Sequence, residues 1–435
     1  MHSKHSKFNA FTVYLWIAGL GAFAQSIIFT LSMVYQIETV KLNPLQLVLV
    51  GTTLETACFI SQVPTGILAD MYSRRLAVIV GYLLMGLGFL LEGMLPTFFV
   101  MLLAQILWGC GATCVSGAEE AWCASEIGEE RVGAAFLRSS QLGMLASLLG
   151  IPLGIGLGLL RLNLPIVVGG VVFILLALFL FFWMPERNFQ PAPHTERSSW
   201  RAMGQLMADG GQAVRRSRML LTILCITAFV GMASEGFDRL QTDHFIQDFA
   251  FPSFFHLPQL IWFGIIAEGS HLLCLTATEL VRRCVNTNNQ TLVIRVMSGL
   301  QILLIGSIIV FALTDNFYLA LLSFWCASIG RRADAPLYNT WIVQNSEPRI
   351  RATVISMFGQ VDAIGQIVGG PGIGYLGSAP SLRAALLATS AILTPNLIFF
   401  ARALGISKTA PIYAIEESAV SIAETVLDAT GLDVS

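Results

Sequence analysis

Apolar runs of roughly 20 residues, separated by short polar breaks, recur along nearly the whole chain. Their centres fall near Leu20, Ile60, Leu84, Leu107, Leu148, Ile174, Val230, Ile266, Leu304, Trp325, Gln366 and Ile392. The breaks carry turn residues, among them Asn43-Pro44, Leu95-Pro96, Asn163-Leu164-Pro165, Thr314-Asp315-Asn316 and Ser378-Ala379-Pro380. Each run predicts a membrane-spanning helix, twelve in all. The first is too long, with no small-residue cleavage pattern after it, to be a removable signal, and is expected to stay as a span.

The longest polar interruption, Met184 to Arg218, falls after the sixth run. It divides the chain into an N-terminal bundle (1–184), a linker (185–217) with an expected amphipathic helix from Trp200 to Val214, a C-terminal bundle (218–405) and an acidic tail (406–435) expected to be a mobile cytoplasmic segment. The halves repeat each other. A shift of 219 positions lays Phe98 on Phe317, Trp122 on Trp341, Gln141 on Gln360, Gly150 on Gly369, Pro152 on Pro371 and Gly158 on Gly377. A shift of 213 lays Gly51 on Gly264 and Glu55 on Glu268, and one of 208 lays Ser26 on Ser234 and Phe29 on Phe237. Small changes of loop length between matched segments are what an internal duplication leaves in a transporter.

Composition agrees with the runs. The chain is 55% hydrophobic and 12% charged, with a mean hydropathy of +0.71, more apolar surface than a soluble fold of 435 residues could hide. A net charge of -2 and the lack of any basic patch interleaved with aromatics exclude a nucleic-acid partner. Of 25 Lys and Arg residues, Lys41, Arg161, Arg239 and Arg383 are placed on one face, Arg331 and Arg332 inside a span, and the rest on the face that holds the termini. That asymmetry predicts a multi-pass protein of the cell membrane with both termini in the cytoplasm. The eight cysteines contain no CxxC pair, so neither a disulfide frame nor a metal site is expected. No Gly-Lys dipeptide is present, hence no phosphate-binding loop and no cofactor; the energy source is expected to be a gradient.

Polar residues inside the runs are the candidates for chemistry. Glu55 and Glu268 each lie about ten residues, or roughly 15 Å, into equivalent spans. A carboxylate at that depth costs at least about 2.5 kcal/mol, so it is expected to face a cavity, find a partner or take up a proton. The alternative is a neutral, hydrogen-bonded Glu that joins two helices. Asp362, flanked by Gln360 and Gln366, marks a third polar face. Arg331, Arg332 and Asp334 form a fourth polar cluster; Arg331 and Asp334, three apart, can meet on one helix face, and the alternative to a functional role is a self-neutralised structural pair. Glu235, Asp238 and Glu92 read as interfacial residues near outer span ends, and His271 as a structural hydrogen-bonder.

The segment Gly66-Ile67-Leu68-Ala69-Asp70-Met71-Tyr72-Ser73-Arg74-Arg75 resembles the signature loop of the major facilitator superfamily, with Ser73 where that family usually has Gly and Met71 where it often has a basic residue. The resemblance implies an all-α membrane protein of twelve transmembrane helices in two pseudo-symmetric six-helix bundles. It also implies a cytoplasmic gate of Gly66, Asp70, Arg74 and Arg75, with Glu126 as the carboxylate best placed to bind the arginines. In the fifth span, Gly150, Pro152 and Gly154 resemble the Gly- and Pro-rich motif of drug and proton antiporters, echoed by Gly369 and Pro371 in the eleventh; small residues there would let helices pack tightly and rock. The fourth span departs from the pattern, having Gln105 where the family usually has Arg.

Together these features predict a secondary transporter, not an enzyme, that acts as a monomer in the bilayer by alternating access. The expected function is proton-coupled efflux of an amphipathic or lipophilic small molecule, suggested by 28 Phe. Glu55 and Glu268 would exchange protons for substrate, and Gln25, Tyr35, Gln360 and Asp362 would be cavity contacts. Uptake or uniport of a small metabolite is the first alternative, and a non-transporting sensor or lipid-handling protein the second.

Overall fold

Side-chain caps start many of the helices. Asn43 accepts from the Gln46 backbone while Gln46 returns the bond, with Pro44 at the first helical turn. Ser73, Ser217, Asn289, Asn316 and Ser381 each accept from a backbone N–H two or three residues on. The computed structural model describes residues 9–189, 208, 210–252, 257–346, 351–379 and 381–409. Most of the expected amphipathic helix and nearly all of the acidic tail lie outside these residues.

Among the described residues every regular element is a helix. The N-terminal half comprises α1 (Ala10–Glu38), α2 (Pro44–Ile67), α3 (Arg74–Met94), α4 (Phe98–Val115), α5 (Ala118–Ile127), α6 (Glu129–Leu160) and α7 (Leu164–Trp183). The C-terminal half comprises α8 (Arg218–Asp248), α9 (Gln259–Cys284), α10 (Gln290–Leu313), α11 (Phe317–Arg332), α12 (Ala335–Gln344), α13 (Arg351–Ser378), α14 (Leu382–Leu393) and α15 (Pro395–Thr409). The pairs α4–α5, α11–α12 and α14–α15 are single spans, each broken once, which gives twelve spans in two six-span bundles. Among the described residues, ten are long and apolar enough to cross a membrane by that measure alone. The other two are α11–α12, interrupted at Ala333-Asp334, and α13, diluted by Gln, Asp and Gly.

The internal repeat is visible in the packing. Spans four and ten break at matching places, at Gly117 with φ +76° and before Pro336, and each second half buries its tryptophan, Trp122 or Trp341, completely. A Cβ on Gly150 would lie 2.9 Å from the Phe23 carbonyl oxygen of α1, and one on Gly369 would run into the Met232 carbonyl oxygen of α8. These glycines let backbones touch where side chains would force them apart. Helices α6 and α13 run unbroken through Pro152 and Pro371.

Contacts between the bundles lie toward the loops opposite the termini. Gly377 packs on Pro44, Gly374 on Leu45 and Val48, and Gly370 on Val48 and Thr52; the Leu45 N–H donates to Ser378 Oγ at 2.8 Å. On the far side of the seam, Gly264 packs on Ile155 and Gly158 on Leu260. Toward the termini Ile60 of α2 and Tyr72, in the turn that follows it, are exposed. The seam is therefore closed on the loop side opposite the termini.

The expected gate segment takes a different form from a simple loop. Pro64 interrupts the hydrogen bonding of α2, and Leu68–Tyr72 continues it as a π-helical turn. A Cβ on Gly66 would meet nothing within 4 Å, and Asp70 is exposed, so neither makes a close helix contact in this conformation. The arginines do not bind Glu126. Arg74 donates to the Ala121 carbonyl at 3.1 Å and Arg75 to that of Phe181 at 2.5 Å, while Glu186 accepts from the Arg75 backbone and from Ser73. Glu126 instead accepts from the backbone N–H groups of Arg187 and Asn188, both at 2.7 Å. The physical reason is proximity: the chain leaving α7 passes over the end of α5 and supplies orphan N–H donors there.

Candidate functional site

Two adjoining cavities lie between the bundles and share Phe29 as a wall. The larger, about 340 Å³, includes Gln25, Ser26, Thr30, Gln241, His271 and Arg332 in its lining. The smaller, about 300 Å³, carries most of the charge: Glu55, Glu92, Glu235, Asp238 and Arg239 all line it.

Helix α8 positions three of these groups on one face through the spacing Glu235, Asp238, Arg239. Arg239 Nε donates to Glu235 Oε2 at 3.2 Å. Arg331, at the end of α11, reaches across to α8 and holds Asp238 with both guanidinium nitrogens, one of them at 2.8 Å from Oδ2. The expected Arg331–Asp334 pair is not formed. Helix α11 ends at Arg332, so Asp334 sits past the break at the head of α12, off the face it would have shared.

Glu235 and Glu92 are likewise not interfacial. They are 4% and 1% exposed: α8 runs 31 residues from Arg218 to Asp248 and Glu235 falls at its middle, while Glu92, near the end of α3, is covered by neighbouring helices. Glu92 accepts from Gln36 Nε2 at 2.9 Å and from Gln105 Nε2 at 3.4 Å. Gln105 thus meets a carboxylate where the family pattern has Arg, supplying N–H groups without charge.

Among the expected site residues, the structure brings Glu55 into the charged cavity and Gln25 into the larger one. Asp362 approaches the same cluster and accepts from Gln366 Nε2, itself a lining residue, at 2.8 Å. Tyr35 does not line either cavity: it is 1% exposed, and its hydroxyl donates to the Glu92 carbonyl at 3.0 Å. Gln360 lines neither cavity. Glu268 is in neither lining, although Glu268 Oε2 is buried with no hydrogen-bond partner among the described residues; His271 Nε2 is in the same condition but does face the larger cavity.

Sequence reasoning missed Glu92, Gln36, Glu235, Asp238, Arg239 and the aromatic wall of Phe29, Phe89 and Trp108. The available signal was the i, i+3, i+4 charge pattern of α8. Nor did the count of phenylalanines describe the cavity. Phe245, Phe263 and Phe324 do line the larger cavity, but many others fill cores, as Phe237, Phe311 and Phe317 do, or lie exposed on the outside, as Phe99 and Phe182 do.

The arrangement provides a polar chamber of about 300 Å³ at the junction of two bundles, carboxylates in excess over cations, and a seam closed on one side. That is the geometry of a carrier for a small solute rather than of bond-making chemistry.

Comparisons with known proteins agree. The Major Facilitator Superfamily model matches residues 15–300. The chain is 20% identical over 359 residues to an uncharacterized MFS-type transporter of Bacillus subtilis (strain 168), YxaM, covering 82% of this chain and 86% of that protein. Among solved structures, the nucleoside transporter NupG superposes with a TM-score of 0.70 at 17% identity, over 91% of this chain and 99% of its own. The peptide transporter POT in complex with sulfate gives 0.70 at 13% identity, covering 92% and 94%. A bacterial homolog of the human lysosomal transporter Spinster, inward-facing and unoccupied, gives 0.64 at 15%, covering 93% and 97%. The chain belongs to the Major Facilitator Superfamily and is a multi-pass membrane transporter.

Proposed function

We propose that the protein is a proton-coupled secondary transporter that exports a small amphipathic solute by alternating access, with Glu55 as the group for which proton and solute compete. One observation carries this reading. Glu55 lines the charged cavity, where Arg239 is committed to Glu235 and Arg331 to Asp238, and among the described residues it forms no ion pair of its own. The charges it faces are Glu235, Asp362, Arg239 and Asp238. An uncompensated carboxylate at membrane depth is relieved by a proton or by a solute that donates to it, and each lowers the affinity for the other. Competition of this kind makes antiport.

The bundles 1–184 and 218–405 would rock against each other as one monomeric carrier, with 185–217 as their tie. The polar lining also favours a second reading, in which proton and solute move inward together.

Inverted membrane vesicles with an acidic interior and an acid-sensitive dye test both. Under antiport, adding a transported solute releases luminal protons; Glu55→Gln is expected to abolish that release while solute-for-solute exchange persists. Proton release that continues unchanged in Glu55→Gln removes Glu55 from the mechanism. Co-movement of protons with solute out of the lumen selects the inward reading.

The orientation has its own test. Cys284, exposed at the end of α9 beside Arg282 and Arg283, lies on the side of the termini. With the termini in the cytoplasm, a membrane-impermeant maleimide is expected to label Cys284 in inverted vesicles and not in intact cells, with the signal lost in Cys284→Ser. Labelling in intact cells would reverse the orientation.

A further inference from the structure

The chemistry left over in the smaller cavity is selective. Glu92 can only accept hydrogen bonds as a carboxylate, so Gln36 and Gln105 both turn their Nε2 donors to it. Their carbonyl oxygens are left behind. Each residue is 2% exposed, each lines the cavity, and Gln36 Oε1 and Gln105 Oε1 are both buried without a hydrogen-bond partner among the described residues. A buried acceptor without a donor is costly, and two in one chamber call for an occupant that supplies N–H or O–H groups.

The other lining groups narrow the choice. Arg239 gives its Nε to Glu235 and Gln366 its Nε2 to Asp362, while among the described residues the Glu55 carboxylate forms no ion pair. One or two turns along the same helix faces, and lining the same cavity, lie Phe29, Phe89 and Trp108, with ring centroids 5.1 Å (Phe29–Trp108), 5.5 Å (Phe89–Trp108) and 5.8 Å (Phe29–Phe89) apart. Aromatic faces attract a cation and also pack against an apolar body. A neutral solute would leave the carboxylate excess unanswered, and an anion would add to it.

We propose that this cavity is a receptor for a compact protonated amine, whose N–H groups meet Gln36 Oε1, Gln105 Oε1 and the Glu55 carboxylate while its apolar part lies on Phe29, Phe89 and Trp108. This deepens the transport reading, since it takes the same cavity as the solute site. A volume of about 300 Å³ suits a small solute and not a bulky drug.

The test is equilibrium binding to the purified full-length protein in detergent, with no gradient, so that a failure of proton coupling cannot be confused with a failure of recognition. Isothermal titration would compare 2-phenylethylamine, 2-phenylethanol and 3-phenylpropionate, which share a ring and differ in the end group. The amine is expected to bind at least about tenfold tighter than the alcohol, a difference of about 1.4 kcal/mol, and the carboxylate not at all. Gln105→Arg would satisfy Glu92 with a cation and turn donors into the chamber. It is expected to weaken the amine at least tenfold and to admit 3-phenylpropionate, an inversion that a merely structural role for Gln105 would not produce. Trp108→Leu, which leaves the Glu92 network in place, is expected to weaken the amine several-fold and keep the order of the three probes. Equal binding of amine and alcohol, preference for the carboxylate, or no binding of the amine would overturn the proposal.

Discussion

Replacing Arg331 with methionine is expected to cost about 1–3 kcal/mol of stability and to lower solute flux by at least tenfold. The cost follows from what remains behind. Arg331 holds Asp238 with both guanidinium nitrogens, across the gap between α11 and α8. Removing one partner of a fully buried pair costs about 3–5 kcal/mol, because the other charge is stranded. Here the side chains are 28% and 46% exposed, so solvent recovers part of that cost. The flux effect has a separate origin. A freed Asp238 would add an uncompensated carboxylate to the cavity that Glu55 already lines, and would hold protons or cations that ought to leave. Asp238→Asn in the same chain removes the stranded charge, so the double variant is expected to regain most of the melting temperature and part of the flux. Thermal melting in detergent and flux in vesicles measure the two. A single variant that melts with the wild type would show that the bridge holds nothing together.

The same bridge shows where sequence reasoning stopped. Arg331 and Asp334 have the right spacing for one helix face, but the span breaks between them, and a break inside an apolar run leaves little trace in hydropathy. Span length was the other blind spot. Centring the seventh run on its most apolar part, near Val230, put Glu235 and Asp238 at the outer end. The helix continues through a polar last third to Asp248, which moves both to the middle. Glu92 was misplaced for a related reason: it lies near the end of α3, yet Gln36 and Gln105 from neighbouring helices cover it. Burial by other helices is a tertiary property that no single run encodes. Tyr35 is the reverse case, a polar-tipped residue whose hydroxyl is spent on a backbone carbonyl in the core.

What repeats within the chain was legible. The match of Trp122 with Trp341 anticipates two fully buried tryptophans at the bent ends of spans four and ten, and the match of Gly150 with Gly369 anticipates two backbone-on-backbone contacts. Both depend on residue identity at one register, which a duplication preserves. The pair Glu55 and Glu268 shows the limit of that logic. Equivalent positions along α2 and α9 meet different neighbours: Glu55 lines the charged cavity, whereas Glu268 is absent from the lining of both cavities. Sequence symmetry locates helices; the asymmetry of the contents decides which copy faces the solute. The signature segment from Gly66 to Arg75 divides in the same way. Its position after the second span was readable, whereas its partners depended on where the chain beyond α7 returned.

A disulfide across the closed seam is expected to stop transport altogether. Pro44 opens α2 and Gly377 lies near the end of α13, one from each bundle, and a Cβ on Gly377 would lie 3.0 Å from that of Pro44. Disulfides bring Cβ atoms to roughly 3.5–4.5 Å, so Pro44→Cys with Gly377→Cys needs only a small outward adjustment to form the bond. Alternating access requires this seam to part, because Gly370 and Gly374 pack on α2 directly beneath it and close the route to the cavities from that side. Oxidising the double variant is therefore expected to abolish flux, and reduction to restore it. Each single variant, which retains the native cysteines, is expected to be indifferent to oxidant, so the loss can be assigned to the new bond. Equilibrium binding is expected to survive in the cross-linked protein, since the bond joins a seam that is already closed in this structure and leaves the cavity linings as they are. Full flux through a protein shown to carry the disulfide would mean that solute passes without parting α2 from α13, and a rocking mechanism would have to be given up.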